Sequence, residues 1–275
     1  STGEDQVNEL KFEEVWREVG NTEARVTGWV TERGGEFWYE NGVKQGTEGR
    51  GKEIYDEETD AWYWLDAPRG LKAVSKDVYQ ESEAGEYAED QKTGTGKWVR
   101  YDADGRMVKG FDTNDKGTYY FDPIYGTMVK GDIEIDGSFY AFDKTTGIGL
   151  NNVWHEVDGV AYWYENGKRM GTEGRGKEIY DEESDAWYWL DAIQGGKIAK
   201  SKDVYQESAA GQWAEKSNGK GKWVRYDENG HMIKGWNTNE NGTYYFDPVY
   251  GTMAKGTVVI DGVTYTFDKV TGVRQ

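Results

Sequence analysis

The stretch GTEGRGKEIYDEE at residues 46–58 returns letter for letter at residues 171–183, displaced by 125 residues. Working outward, DAWYWLDA at 60–67 recurs at 185–192, KWVRYD at 97–102 recurs at 222–227, and GTYYFDP at 117–123 recurs at 242–248. About two-thirds of the aligned positions are identical, with one residue gained near Lys200 and one lost near Gly219; self-similarity at a fixed period marks a repeat architecture. Residues 28–150 and 151–275 therefore read as two repeat lobes, and residues 1–27 as an N-terminal cap or linker. Within that leader, Leu10, Glu13, Glu14 and Arg17 tolerate a helix over residues 7–19, the kind of atypical end element that a repeat array needs to cover its first apolar face.

Each lobe divides again into short aromatic runs that close on Asp or Asn and a turn. The anchors are Asn41, Asp66, Asp102, Asp122 and Asp143, then Asn166, Asp191, Asp227, Asp247 and Asp268, spaced 25, 36, 20 and 21 residues apart in both lobes. The shorter intervals have the length of a β-hairpin plus a connection, so the fold class expected is all-β, an elongated solenoid of ten stacked hairpins in a duplicated unit of about 125 residues. Two-residue hairpin turns need left-handed backbone, which Asn41-Gly42, Asp104-Gly105, Asp136-Gly137, Asp158-Gly159, Asn166-Gly167, Asn229-Gly230, Asn241-Gly242 and Asp261-Gly262 supply. The 36-residue interval holds SKDVYQES and a variable, Gly-rich stretch (75–96 and 201–221), which reads as an insertion on one edge.

Composition narrows the function. Basic residues number 33 against 51 acidic, a formal charge of −18. Nucleic acid and anionic membrane surfaces both require clustered Lys and Arg, and here the basic residues are interleaved with a larger number of carboxylates. Aromatics reach 15%, with thirteen Trp and twenty Tyr, while mean hydropathy is −0.92; the core must be largely aromatic. The absence of cysteine removes disulfides, thiolate metal sites and thiol nucleophiles together. No apolar run approaches eighteen residues and no signal-peptide pattern is present; the Ser1-Thr2-Gly3 opening without Met is expected for a processed or excised start.

Strand side chains alternate, so counting back from each anchor separates two faces. Positions three and one before it are Tyr63 and Leu65, Val99 and Tyr101, Tyr119 and Phe121, Tyr140 and Phe142, matched in lobe 2 by Tyr188 and Leu190, Val224 and Tyr226, Tyr244 and Phe246, Tyr265 and Phe267. This face is the expected buried seam. It is less complete in the first unit of each lobe, where the same positions hold Trp38 and Glu40, then Trp163 and Glu165. The opposite face carries Phe37 and Tyr39, Trp62 and Trp64, Trp98 and Arg100, Thr118 and Tyr120, Phe139 and Ala141 in lobe 1, and Tyr162 and Tyr164, Trp187 and Trp189, Trp223 and Arg225, Thr243 and Tyr245, Thr264 and Thr266 in lobe 2. A row that holds paired Trp in some units and Thr or Arg in others does not behave as a continuous core. It reads as a ligand-binding surface, since an indole left in water forgoes on the order of 2 kcal/mol of burial. Any single Trp of the row can equally be filler between repeats.

GTYYFDPVYGTMAKG at 242–256 and KWVRYDENGHMIKGW at 222–236 resemble the cell-wall-binding repeats of Gram-positive surface proteins, known as choline-binding or glucan-binding repeats. The shared order is two or three aromatics, Asp or Asn, a Gly turn, Met, then Gly and an aromatic that opens the next unit; Gly105, Met107, Gly110 and Phe111 follow it, as do Gly230, Met232, Gly235 and Trp236. The resemblance covers nearly all of residues 28–275. It implies a solenoid of hairpins that binds choline on teichoic acids, or α-glucans, through aromatics of consecutive hairpins, on a secreted, cell-surface or cell-wall-associated protein. Carried over, a cage for quaternary ammonium would combine Trp236 with Trp223 and Tyr245, or Phe111 with Trp98 and Tyr120, each face contributing about 0.5–2 kcal/mol. Phe in place of Trp at 111, and the non-aromatic junctions at 130–132 and 255–257, limit the number of complete cages. The rows Trp62 with Trp64 and Trp187 with Trp189 suit sugar rings, whose C–H faces stack on indole. A carbohydrate or cell-wall polymer is accordingly placed ahead of choline itself.

Chemistry is not supported by the remaining residues. Glu53, Asp56, Glu57, Glu58 and Asp60, with their lobe 2 equivalents, could suggest a two-carboxylate glycoside hydrolase, but a charge-rich loop on a solvated face accounts for them. His155 and His231 stand where lobe 1 has Val30 and Arg106, so neither belongs to the repeated plan, and no phosphate loop or dinucleotide motif occurs. The expectation is a non-catalytic module without cofactor or metal. A protein-binding adhesin, using the acidic face or the 75–96 stretch on a host protein, is the alternative.

Overall fold

A computed structural model describes residues 16–19, 22–83, 87–90, 92–209 and 211–275. From Gly28 onward they form ten antiparallel hairpins, five per lobe, and no α-helix. Most of the helix expected over 7–19 lies outside the described residues, and its described part, Trp16–Val19, is a strand paired with Thr22–Arg25. The chain divides into two compact units: one runs through Asp132 and takes in Phe142–Gly149, the other comprises Ile133–Ala141 and Leu150–Gln275.

The anchor aspartates prove to be turn-builders. Asp122 Oδ1 accepts the backbone N–H groups of Ile124 and Tyr125 (2.8 and 2.7 Å), and Asp247 does the same for Val249 and Tyr250 (both 2.7 Å). Such Asx turns offer the backbone local partners and stop the strand where it must reverse. Asn41-Gly42, Asp136-Gly137, Asp158-Gly159, Asn166-Gly167 and Asp261-Gly262 have positive φ at both residues, as two-residue turns require. Three expected turns differ: at 104–105, 229–230 and 241–242 only the Gly has positive φ, because Asp102, Asp227 and Asn239 close these turns with their own side chains.

The stretch read as an edge insertion is instead part of a hairpin. Lys76–Glu83 pairs with Thr95–Tyr101, and Lys202–Ala209 with Lys220–Tyr226, so SKDVYQES is a first strand and the variable segment its long tip. Burial of Gln80 and Gln206, which donate to Tyr101 Oη (2.5 Å) and Tyr226 Oη (2.6 Å), explains why this polar-looking strand belongs inside.

The seam face is buried as its periodicity requires. Leu65, Val99, Phe121, Leu190, Val224 and Phe246 have no exposure, and Tyr140 and Tyr265 are the half-buried members. The first unit corrects the expected phase, since Phe37 and Tyr39 point into the core while Trp38 is half-buried; Val26 and Leu71 complete that cluster. Backbone bonds join successive hairpins. Met107 N–H donates to the Trp62 carbonyl (2.9 Å), Met128 to Trp98 (2.8 Å), Met232 to Trp187 (2.9 Å) and Met253 to Trp223 (2.9 Å). The Met side chains then lie against glycines of the following turn, Met107 on Gly126, Met128 on Gly147, Met232 on Gly251 and Met253 on Gly272. Each such bond contributes about 0.5–1.5 kcal/mol, and each buried ring or aliphatic of the seam about 1.5–3 kcal/mol.

Candidate functional site

Six pairs of aromatics outside the core stand directly opposed across their hairpins. Registers place Tyr55 opposite Trp62, Tyr79 opposite Trp98 and Phe111 opposite Tyr120 in the first unit, and Tyr180 opposite Trp187, Tyr205 opposite Trp223 and Trp236 opposite Tyr245 in the second. Ring centroids are 5.2, 5.5 and 4.7 Å apart in the first unit and 5.2, 5.5 and 4.9 Å in the second. Directly opposite aromatics stabilise a hairpin and, where the outer face is solvated, leave a two-ring platform. Phe111 (47% exposed) and Trp236 (42%) present the most open faces, followed by Tyr55, Tyr180 and Trp223; Trp62, Trp98, Tyr120, Trp187 and Tyr245 are half-buried.

Trp64 and Trp189 depart from the expected platform. They are 6% and 7% exposed, Trp64 packed with Ala73, Val78, Val99 and Tyr101, Trp189 with Ala199, Val204, Val224 and Tyr226. The following hairpin stacks on this side of its predecessor, so the residue two before the anchor is covered while the one four before it is not. Trp64 Nε1 donates to Asp66 (2.8 Å), which satisfies the indole inside. The proposed Trp62–Trp64 and Trp187–Trp189 rows therefore do not form; each exposed Trp is partnered by a Tyr of the opposite strand.

Around Trp236 the platform widens. Tyr265 and Phe267 lie 4.8 and 6.0 Å from it, and Trp213 lies 6.1 Å from Tyr245. The rings meet largely edge to face, which makes this surface an aromatic patch rather than an enclosed cage. Tyr265 was read as seam and Trp213 as part of an insertion; both signals were aromatic residues in strands or tips that counting back from one anchor does not reach. The same holds for Tyr55, Tyr79, Tyr180 and Tyr205, which sit on first strands.

Protein cations sit on some of these rings. The Arg50 and Arg175 guanidiniums lie 5.2 and 5.3 Å from the Tyr79 and Tyr205 rings, and Arg274 lies 4.8 Å from Tyr265 at the margin of the Trp236 patch. Among the described residues, no Lys or Arg lies over the Trp236 or Tyr245 ring itself. Arg100 and Arg225 are engaged within the fold. Each makes a bidentate pair with Asp77 or Asp203 (2.7–3.0 Å) and covers the ring of Tyr119 or Tyr244 at 4.1 Å. Burial lowers their pKa, but the bonds to those aspartates outweigh it and hold both above the ordinary arginine value.

Three of the carboxylates suggested for a hydrolase have structural partners. Asp56 accepts Trp29 Nε1 (3.1 Å) and closes its own turn at Glu58 N (3.0 Å), Asp60 accepts the Tyr55 hydroxyl, and Glu53 pairs with buried Lys97 (3.2 Å). His231 Nε2 bonds the Tyr188 hydroxyl (2.9 Å). Among the described residues no group of three or more His, Asp or Glu could hold a metal ion, and no helix is long and apolar enough to cross a membrane.

No family model matches the chain. Glucosyltransferase-S of Streptococcus downei is 29% identical over 183 residues, 61% of this chain and 13% of that protein's length. In structure the chain is similar to choline binding protein F of Streptococcus pneumoniae, solved in the presence of a peptidoglycan analogue, with a TM-score of 0.50 and 17% identity over 94% of this chain and 92% of that one. A structure of CbpF in complex with ipratropium gives a TM-score of 0.52 at 18% identity over the same shares. The fold is that of the choline-binding repeat proteins, all-β and built of stacked hairpins.

Proposed function

We propose that the chain is a non-catalytic module that attaches to a cell-wall polymer or glycan through the Phe111–Tyr120 and Trp236–Tyr245 platforms. The observation that carries this reading is that an exposed aromatic stands opposite a tyrosine at the same place in both copies, on turns that the Met–Gly stacking holds in register. Such faces take the C–H face of a sugar or a quaternary ammonium group. One platform is a weak site. Two on one chain, meeting a ligand that itself repeats, gain about a hundredfold or more in avidity, which gives the duplication a physical use. Likeness to a choline binding protein that was solved with a peptidoglycan analogue supports a place at the cell wall.

The test is passage over immobilised choline, an α-glucan and purified cell wall, followed by elution with free choline or free glucan. Retention that a free ligand reverses identifies it. Flow-through on all three supports would refute the reading.

A further inference from the structure

The second unit contains a cleft of about 800 Å³ lined by residues of the hairpins Val153–Val157/Val160–Glu165 and Gly176–Asp181/Ala186–Asp191, within the range of about 300–1,000 Å³ usual for small-ligand sites. Trp163 and Trp187 contribute rings, and Glu165, Glu178, Asp181, Glu182 and Glu183 contribute carboxyl groups, against Lys177 as the basic residue in the lining. Lys177 neutralises Glu165 (2.6 Å), and Lys222 neutralises Glu178 (3.3 Å). Negative charge remains at Asp181 and at Glu182 and Glu183 on the exposed rim. Asp181 is desolvated, but bonds from Trp154 Nε1 (3.1 Å) and Ser184 Oγ (2.9 Å) outweigh that and hold its carboxyl below the ordinary value.

A second observation singles out the same cleft. Trp163 is 5% exposed and its Nε1 has no hydrogen-bond partner, an arrangement that costs about 1–3 kcal/mol. Its equivalent in the first unit is satisfied, since Trp38 Nε1 donates to Glu40 (3.3 Å). The difference lies in how the neighbouring lysine is shared. Lys52 divides between Gln45 (2.8 Å) and Glu40 (3.4 Å), and Glu40 still accepts from Trp38, whereas Met170 stands in place of Gln45 and Lys177 closes more tightly on Glu165 (2.6 Å), away from the Trp163 indole.

We infer that this cleft is a second binding site, for a saccharide that carries a free amino group. The sugar's C–H face meets Trp187, one of its oxygens accepts from Trp163 Nε1, and its ammonium sits among Asp181, Glu182 and Glu183. The site uses no residue of the Trp236 or Phe111 platforms, so it stands or falls apart from the reading above.

The experiment titrates the full chain carrying Phe111→Ala and Trp236→Ala with a glucosamine tetramer and, separately, with its N-acetylated form. The amino form is expected to bind at least tenfold more tightly, with affinity that falls as salt rises. Glu182→Gln with Glu183→Gln should weaken it severalfold, Trp187→Ala should remove it, and Met170→Gln, which returns an acceptor to Lys177 and Glu165 to Trp163, should weaken it too. Equal binding of the two tetramers, no binding of either, or affinity unchanged by the Glu182 and Glu183 pair or by Met170→Gln, would overturn the inference.

Discussion

The thioether of Met232 occupies the place of a side chain at Gly251: a Cβ built there would meet Sδ at 2.6 Å, at a backbone φ of 68°. The two residues belong to successive turns, so this contact sets the step between hairpins. Gly251→Ala should lose about 1–2 kcal/mol to the left-handed backbone and about 1–3 kcal/mol more to overpacking. Gly256→Ala, with φ of 80° and open space around it, should lose the backbone part alone. Urea unfolding of both variants checks the difference, and equal losses would remove the Met–Gly contact from the account.

The buried Gln206–Tyr226 bond makes a second test. Gln206→Leu should destabilise the chain by about 1–3 kcal/mol, because it strands a phenol that burial keeps protonated, its pKa pushed up first by desolvation and then by the Glu178 charge. Adding Tyr226→Phe should recover most of that loss in the same urea titration. A double variant as unstable as the single one would mean that the glutamine acts by shape rather than by its bond.

Acid should weaken the turns. The Asp268 carboxylate accepts backbone N–H groups of Thr271 (2.7 Å) and Val270 (2.8 Å), which hold its carboxyl below the ordinary value, and Asp143 is held down in the same way by Thr146 and Thr145. A group that binds its proton less readily when folded stabilises the fold above the unfolded pKa, about 3.9 for Asp, and loses that contribution as pH falls through it towards the folded value. Stability should therefore be level across neutral pH and decline below about pH 4. Asp268→Asn should show a smaller decline in thermal unfolding followed against pH.

Much of this fold is legible in the sequence because its period is short. Tyr63, Leu65, Tyr119 and Phe121 hold the positions three and one before an Asp, and the two-residue period of a strand puts each pair on one face without knowledge of the partner strand. The first unit escaped because Phe37 and Tyr39 lie in the opposite phase to the later seams. Trp64 escaped for another reason: whether the outer face of a hairpin is covered depends on how the next one stacks, and here the cover comes from Val78, Val99 and Tyr101. Phe111 and Trp236 were legible from the Gly that precedes each, whereas their setting, above all Tyr265 and Trp213, depends on cross-strand register and on neighbouring hairpins.

The two roles of tryptophan are separable by stability. Trp64→Ala or Trp189→Ala should cost about 3–5 kcal/mol, as large-to-small changes of buried aromatics do, and should lose binding only through unfolding. Trp236→Ala should cost less, about 1–2 kcal/mol for its edge-to-face contacts with Tyr245 and Tyr265, and leave the chain folded, while weakening ligand retention by about 2- to 30-fold if one ring contact of about 0.5–2 kcal/mol is lost. Circular dichroism alongside retention assays distinguishes them.

The most direct measurement is retention of the Phe111→Ala, Trp236→Ala double variant on purified cell wall, beside the unaltered chain and each single variant, with urea midpoints taken on the same samples. The account predicts that the unaltered chain is held, each single variant is held weakly, and the double variant flows through while still folded. A folded double variant retained as firmly as the unaltered chain would contradict it.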